Sequence, residues 1–150
     1  MVAITDIYFV GGFGTVTWID TESFQKAIPD LIVQTDVTDT LRLLNDGYAT
    51  SLLPVLSHPE RYHALLRSQI DGDDLSKELA KDPESMADSA KIISIDKRGL
   101  DVRLRYGNQY VIRRIKFSSV LATREEAAEE LERLTTLSGG HVGVGGIDLD

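Results

Sequence analysis

The sequence contains no cysteine and no long hydrophobic run. Without thiols the chain can form no disulfide bond, no thiolate metal site and no cysteine nucleophile. A zinc site would have to rest on three histidines and on carboxylates. Since no run of about 18 apolar residues exists, we expect no membrane-spanning helix. The chain has 150 residues, of which 42% are hydrophobic, which fits one globular domain.

Positive charge is also scarce, because 16 Lys and Arg stand against 24 Asp and Glu. Binding to nucleic acid needs surplus cations, so we expect no nucleic-acid partner. The charge is nevertheless uneven along the chain. Residues 90–119 hold eight basic and two acidic residues, whereas 71–89 and 120–150 each hold two basic and seven acidic residues. A basic block therefore lies between two acidic ones.

Two β-rich runs, residues 4–10 and 15–19, flank a Gly-Gly-Phe-Gly stretch near the start of the chain. A dinucleotide-binding loop would need a third glycine where Thr17 stands, and a helix instead of the second strand. We therefore interpret the glycines as a tight strand connection. The alternative is a pocket for an anion or a flat cofactor, lined by the backbone amides of this turn. The candidate cofactor-binding residues are Gly11, Gly12, Phe13 and Gly14.

The middle of the chain has helical spacing of apolar residues. We predict a helix over about 40–53, with Gly47 as a weak point and Pro54 as a kink or stop. A second helical piece begins near Pro59, and the acidic segment 71–89 is predicted to be a surface insertion.

From residue 90 the period changes to two, and three β-rich runs are joined by Lys-Arg-Gly and Gly-Asn turns. This pattern predicts a three-stranded antiparallel meander. In its middle strand Val102 and Leu104 face one way, whereas Arg103 and Arg105 face the other, so one face of the sheet is wet and basic. That face either contacts an acidic protein partner or is solvated beside the acidic helix that follows. The candidate partner-binding residues are Arg103, Arg105, Arg113 and Arg114.

The last elements are a helix after Thr123 and a glycine-rich tail, which we expect to be disordered. The three histidines are too scattered for a metal site, and we expect His58 and His63 to be solvated. His141, in the tail, is a candidate iron ligand. No G-x-S-x-G elbow is present, so we assign no catalytic residue.

The stretch "DIYFVGGFGTVTWID" resembles the last strands of the split β-barrel in the pyridoxamine-phosphate-oxidase-like, FMN-binding superfamily. More narrowly, it resembles the branch that contains haem-degrading bacterial enzymes and plastid glutamyl-tRNA reductase binding proteins. The later motifs of that branch match the Leu44-Asn45 pair, the "ISID-x-x-G" step ending at Gly99, Phe117 and the helix from Thr123. Many bacterial members have a histidine where this chain has Tyr48, which favours the plastid type over haem breakdown.

The resemblance implies an α+β fold, in which the closing hairpin of a split β-barrel precedes a small α+β domain with a three-stranded meander and flanking helices. The barrel remnant would occupy residues 1–30 and the α+β domain residues 31–137, with the acidic insertion near 71–89 and a disordered tail at 138–150. Because the other barrel strands should precede Asp6, the chain resembles the C-terminal portion of a longer protein. We expect no FMN site in this portion alone.

The resemblance also implies a function, namely non-catalytic regulatory binding in tetrapyrrole (haem and chlorophyll) biosynthesis. The partner would be glutamyl-tRNA reductase or another protein, haem is a candidate ligand, and a homodimer is expected. The location would be the plastid stroma, or otherwise the cytoplasm. Two alternatives remain open: a haem-degrading or FMN-dependent oxidoreductase, and an accessory domain without a ligand.

Overall fold

The structure, a computed structural model, describes residues 4–11, 15–34, 36–72 and 86–139. Short 3₁₀ turns lie at Leu31–Val33 and Pro59–Arg61. The regular elements in chain order are β1 (Ile7–Gly11), β2 (Thr15–Ile19), α1 (Thr21–Lys26), α2 (Val37–Ser57), α3 (Ala64–Gln69), β3 (Ile70–Gly72), β4 (Ser89–Asp96), β5 (Gly99–Tyr106), β6 (Gln109–Lys116) and α4 (Arg124–Gly139). Within these ranges no helix combines the length and apolarity needed to cross a membrane.

The main sheet has four antiparallel strands in the order β3-β6-β5-β4. The predicted meander is confirmed as β4, β5 and β6, and its second turn contains Gly107 at a φ of 58°. The predicted alternation in β5 is confirmed, because Val102 and Leu104 are buried and Arg103 and Arg105 are exposed. The fourth strand, β3, was not predicted. It includes Asp71 and Gly72, the first two residues of the segment that we predicted to be an acidic insertion. Residues 73–85 of that segment lie outside the described ranges.

Helix α2 is longer than the predicted helix. It begins after Asp36, whose side chain accepts hydrogen bonds from the backbone N–H groups of Thr38 and Asp39. It continues past Pro54 to Ser57, so the prediction that the helix ends near residue 53 was wrong. Proline removes one backbone hydrogen bond, but Leu52, Val55 and Leu56 on both sides of it are fully buried, and this packing maintains the helix.

The hydrophobic core lies between the inner face of the sheet and helices α2 and α4. In the part of the chain that the structure describes, the core begins at Ile32. Strands β1 and β2 form a separate two-stranded sheet. Tyr8 stands opposite Trp18 in this hairpin, with ring centroids 4.9 Å apart, and both side chains are exposed.

These elements confirm the predicted α+β class. The predicted hairpin of residues 7–19 is present, and the described strands form no closed barrel. The hairpin carries apolar side chains on both faces, which is typical of strands that are covered on both sides in a larger assembly. On one face these are Tyr8, Val10, Val16 and Trp18, and on the other Ile7, Phe9 and Ile19.

Candidate functional site

Within the described residues, a groove of about 890 Å³ lies between helix α2 and strand β4, the edge strand of the main sheet. We call it the edge groove. It opens onto the outer face of the sheet, so residues of helix α2 and residues of the outer sheet face both line it. Its lining includes Leu41, Arg42, Asn45, Lys91, Ile93, Arg103, Arg105 and Tyr110.

Asn45 holds the two walls of the edge groove together. Its Oδ1 accepts a hydrogen bond from the backbone N–H of Ile92 at 2.8 Å, and its Nδ2 donates to the carbonyl oxygen of Ile92 at 2.9 Å. Nδ2 also donates to the carbonyl of Leu41, one helical turn earlier, at 2.7 Å. The strand register shifts between Ile92 and Ser94. Asn45 therefore supplies hydrogen-bond partners to the backbone of the edge strand, next to this shift.

The outer wall of the groove is cationic. Lys91 and Arg103 stand directly opposite each other on β4 and β5, and Arg105 lies two residues further along β5. Neither Lys91 nor Arg103 forms an ion pair within the described ranges. The guanidinium of Arg103 instead lies 5.1 Å from the ring centroid of Tyr110, a cation–π contact. Arg105 Nε is 3.9 Å from Asp88 Oδ2, a long and exposed ion pair.

The rim of the groove on α2 is neutralised. The guanidinium of Arg42 lies 2.6 Å from Asp39 Oδ1 and 3.5 Å from Asp46 Oδ2. The hydrogen bond from Arg42 lowers the pKa of Asp39, and the same bond raises the pKa of Arg42. Asp39 is also paired with Arg124 of α4 at 3.1 Å. Uncompensated positive charge is therefore concentrated on the sheet side of the groove.

The four predicted partner-binding arginines do not share one surface. Arg103 and Arg105 are exposed on the outer face, but Arg113 lies on the inner face and is 5% exposed. Arg114 points outward and is held by Asp96 at 2.6 Å and Asp101 at 3.1 Å. Partial burial opposes the charge of Arg114, yet the two carboxylates raise its pKa. Only Arg103 and Arg105 remain as a pair for partner contact, and that role stays a prediction.

The glycine-turn hypothesis stays a prediction too. Gly11 ends β1, while Gly12, Phe13 and Gly14 lie outside the described residues, as does His141.

The expectation of solvated histidines was wrong for His58. Its side chain follows α2 and is buried, with Nδ1 3.5 Å from Glu60 Oε1. His63 is exposed as expected, and its Nδ1 accepts a hydrogen bond from the N–H of Leu65 at the start of α3. Within the described ranges no group of three potential metal ligands is found.

Sequence reasoning missed a buried polar cluster on the side of the sheet away from the groove. Glu130 of α4 accepts hydrogen bonds from Gln69 Nε2 at 3.1 Å, from the N–H of Ser118 at 3.0 Å and from Arg133 Nη2 at 2.9 Å. The Arg133 bond is the main cause that lowers the pKa of Glu130 to about 2. The cluster ties α3, α4 and the end of β6 together, so we assign it a structural role. Its only sequence signal is a Glu beside Leu131 in the apolar stripe.

No protein-family model matches the chain, and no curated protein matches it either. A solved structure described as a heme binding protein from Mycobacterium smegmatis is similar, with a TM-score of 0.52 and 16% sequence identity. The match covers 89% of this chain and 46% of that one, so this chain spans about half the length of the protein it resembles. At this identity the likeness shows a shared fold. The superfamily that the sequence resembles stays a prediction.

Proposed function

We propose that the chain is a non-catalytic binding protein that takes haem as its ligand and acts in the regulation of tetrapyrrole biosynthesis. The observation that carries this proposal is the fold likeness to a heme binding protein, which extends over 89% of the chain. The motifs around Asn45 and Gly99 resemble those of the plastid glutamyl-tRNA reductase binding proteins, and this resemblance supports the proposed role in the regulation of tetrapyrrole biosynthesis. The plastid stroma is the compartment that this assignment implies.

The edge groove suits the organic part of haem. Haem is a flat apolar ring system with two carboxylates on one side, and the groove has an apolar part, which includes Leu41 and Ile93, beside Lys91, Arg103 and Arg105. Arginine and lysine bind carboxylates through charge-assisted hydrogen bonds. Haem, when bound, supplies the iron chemistry. The residues of this chain orient the ligand and offer cations to its carboxylates.

A spectral titration tests ligand binding. Haem is added to the 150-residue chain, and the Soret absorbance is compared with that of haem alone. We expect a shifted band that saturates at one haem per chain or per dimer. A spectrum equal to the sum of free haem and protein at every ratio would contradict the proposal and leave an accessory domain without a ligand.

A pull-down tests the protein partner. Glutamyl-tRNA reductase is captured with the immobilised chain, with Arg103→Glu/Arg105→Glu and with Arg67→Glu/Arg98→Glu, which changes the net charge equally. Arg67 lies on α3 near the opposite edge of the sheet, and Arg98 lies in the turn after β4. We expect the chain and the control to capture the reductase, and the outer-face variant to lose most of it. Equal capture by all three would remove this surface from the proposal.

A further inference from the structure

We propose that the edge groove binds a tetrapyrrole through its carboxylates, so that binding does not require the central metal. This inference rests on the proposed function, because it names the site and the recognition chemistry for the same class of ligand. It differs from that function in one consequence. A metal-free porphyrin is also a ligand, and a porphyrin without free carboxylates is not.

The first support is an electrostatic arrangement that the fold itself leaves uncompensated. Lys91 and Arg103 are cross-strand partners, and like charges directly opposite each other destabilise an antiparallel pair. Neither is paired with a carboxylate in the residues that the structure describes. Elsewhere on the same face the sheet neutralises its cations, since Arg114 is held by Asp96 and Asp101. A bound dianion would remove this repulsion between Lys91 and Arg103.

The second support is the shape and the chemistry of the walls. The groove volume of about 890 Å³ lies in the range of roughly 300–1,000 Å³ that is usual for small-molecule sites. Beside the cations it presents the apolar residues Leu41, Ala49, Ala90 and Ile93 and the ring of Tyr110, together with the polar residues Thr38, Asn45, Asp46 and Ser89. The apolar part of this lining, next to a cationic patch, matches an apolar ring system with carboxylates on one edge.

The third support is the nature of the donor set. Among the described residues the groove lining includes no histidine, methionine or cysteine, and Tyr110, a residue type that can also ligate haem iron, has its ring against the guanidinium of Arg103. His58 and His63 lie beyond the far end of α2, outside the lining. Recognition in the groove through the carboxylates and through ring contacts therefore needs no iron ligand.

The experiment compares three ligands by fluorescence quenching of the single tryptophan and by absorbance, in dilute nonionic detergent that keeps porphyrins monomeric. They are haem, protoporphyrin IX and protoporphyrin IX dimethyl ester. We expect the first two to bind within about threefold of each other. Losing charge-assisted hydrogen bonds should weaken the ester at least about tenfold. Lys91→Glu/Arg103→Glu should weaken both acids equally strongly, and Arg67→Glu/Arg98→Glu should leave their binding unchanged.

The outcomes separate this inference from the proposed function. If haem binds but the ester binds equally well, or the groove variant binds like the control, the groove is rejected and haem binding stands. If haem binds and protoporphyrin IX does not, metal-independent recognition is rejected. If protoporphyrin IX binds through its carboxylates and haem does not, the groove stands and the haem function falls. Circular dichroism checks the fold of each variant, and if the groove variant is unfolded the ester alone decides.

Discussion

Asn45 is the residue through which α2 holds the edge of β4, and its three hydrogen bonds give a first prediction. Asn45→Ala leaves the N–H and the carbonyl of Ile92 without their partner at the edge. We expect the free energy of unfolding, measured by urea denaturation, to fall by about 2 kcal/mol. The matched control is Asp46→Ala, an exposed neighbour, for which we expect a change within about 0.5 kcal/mol. Equal effects of the two substitutions would show that the hydrogen bonds of Asn45 to β4 do not stabilise the fold.

The lowered pKa of Glu130 predicts that the free energy of unfolding decreases as the pH falls. Its folded pKa of about 2 lies below the ordinary 4.5, so its ionised form stabilises the fold above pH 4.5. This contribution is lost as the pH falls from about 4.5 to 2. Glu130→Gln should lower the free energy of unfolding at pH 7 by about 2 kcal/mol and flatten the loss between pH 5 and pH 3.

Urea midpoints of the chain and of Glu130→Gln, measured from pH 7 to pH 3, check this expectation. Glu129→Gln, at an exposed position beside it, should keep the full acid dependence. If Glu130→Gln loses stability toward acid as steeply as the unchanged chain, other carboxylates cause the loss.

Sequence reasoning could not find the roles of these two residues, because their partners are distant in the chain. Asn45 reaches Ile92 across 47 positions, and Glu130 reaches Gln69 across 61. The burial of His58 was missed for a similar reason. The burial of His58 comes from the folding of the chain around it, whereas a lone histidine carries no local signal of burial.

At the scale of elements, we expect replacement by alanine to have opposite effects on the free energy of unfolding at two glycines, Gly47 and Gly99. Gly47 lies inside α2, and a Cβ added there would meet nothing within 4 Å. Gly47→Ala should therefore raise the free energy of unfolding by about 0.5–1 kcal/mol, because alanine loses less entropy in a helix. Gly99 begins β5 so close to the carbonyl of Ile115 that a Cβ would collide with the backbone. Gly99→Ala should lower the free energy of unfolding by about 1–3 kcal/mol.

Thermal or urea unfolding of both variants tests the pair. A gain at residue 47 with a loss at residue 99 supports the described packing. If Gly47→Ala destabilises the chain, that side of α2 is covered by something other than solvent.

The elements of the sequence that carry strong local signals could be predicted. The turns at Lys97-Arg98-Gly99 and Gly107-Asn108, together with the alternation in β5, were sufficient for the meander. Strand β3 has three residues and no local signal, since its extended form comes from pairing with β6, where Asp71 stands opposite Arg114. The end of α2 was misplaced because tertiary packing outweighed the local effect of Pro54.

At the scale of the whole molecule, the apolar hairpin of residues 7–19 predicts association. A lone two-stranded hairpin is marginal in water, and Trp18 is 68% exposed. We expect the 150-residue chain to form homodimers, with Trp18 emission that shifts to the blue as the protein concentration rises. Val10→Lys/Val16→Lys places two charges on the face of Trp18 and should keep the chain monomeric.

Analytical ultracentrifugation and the emission of the single tryptophan check this prediction. The core begins at Ile32 in the described ranges, so the double variant should retain the stability of the α+β domain. A chain that remains monomeric, with emission independent of concentration, would contradict association through this hairpin.

The central claim, that the chain binds haem without consuming it, is tested most directly by adding ascorbate to the haem complex in air. A binding protein should keep its Soret band over hours, and extraction should return all the haem that was added. Decay of the band with formation of an open-chain tetrapyrrole, while catalase removes the hydrogen peroxide that ascorbate generates, would contradict the claim and favour a haem-degrading oxidoreductase.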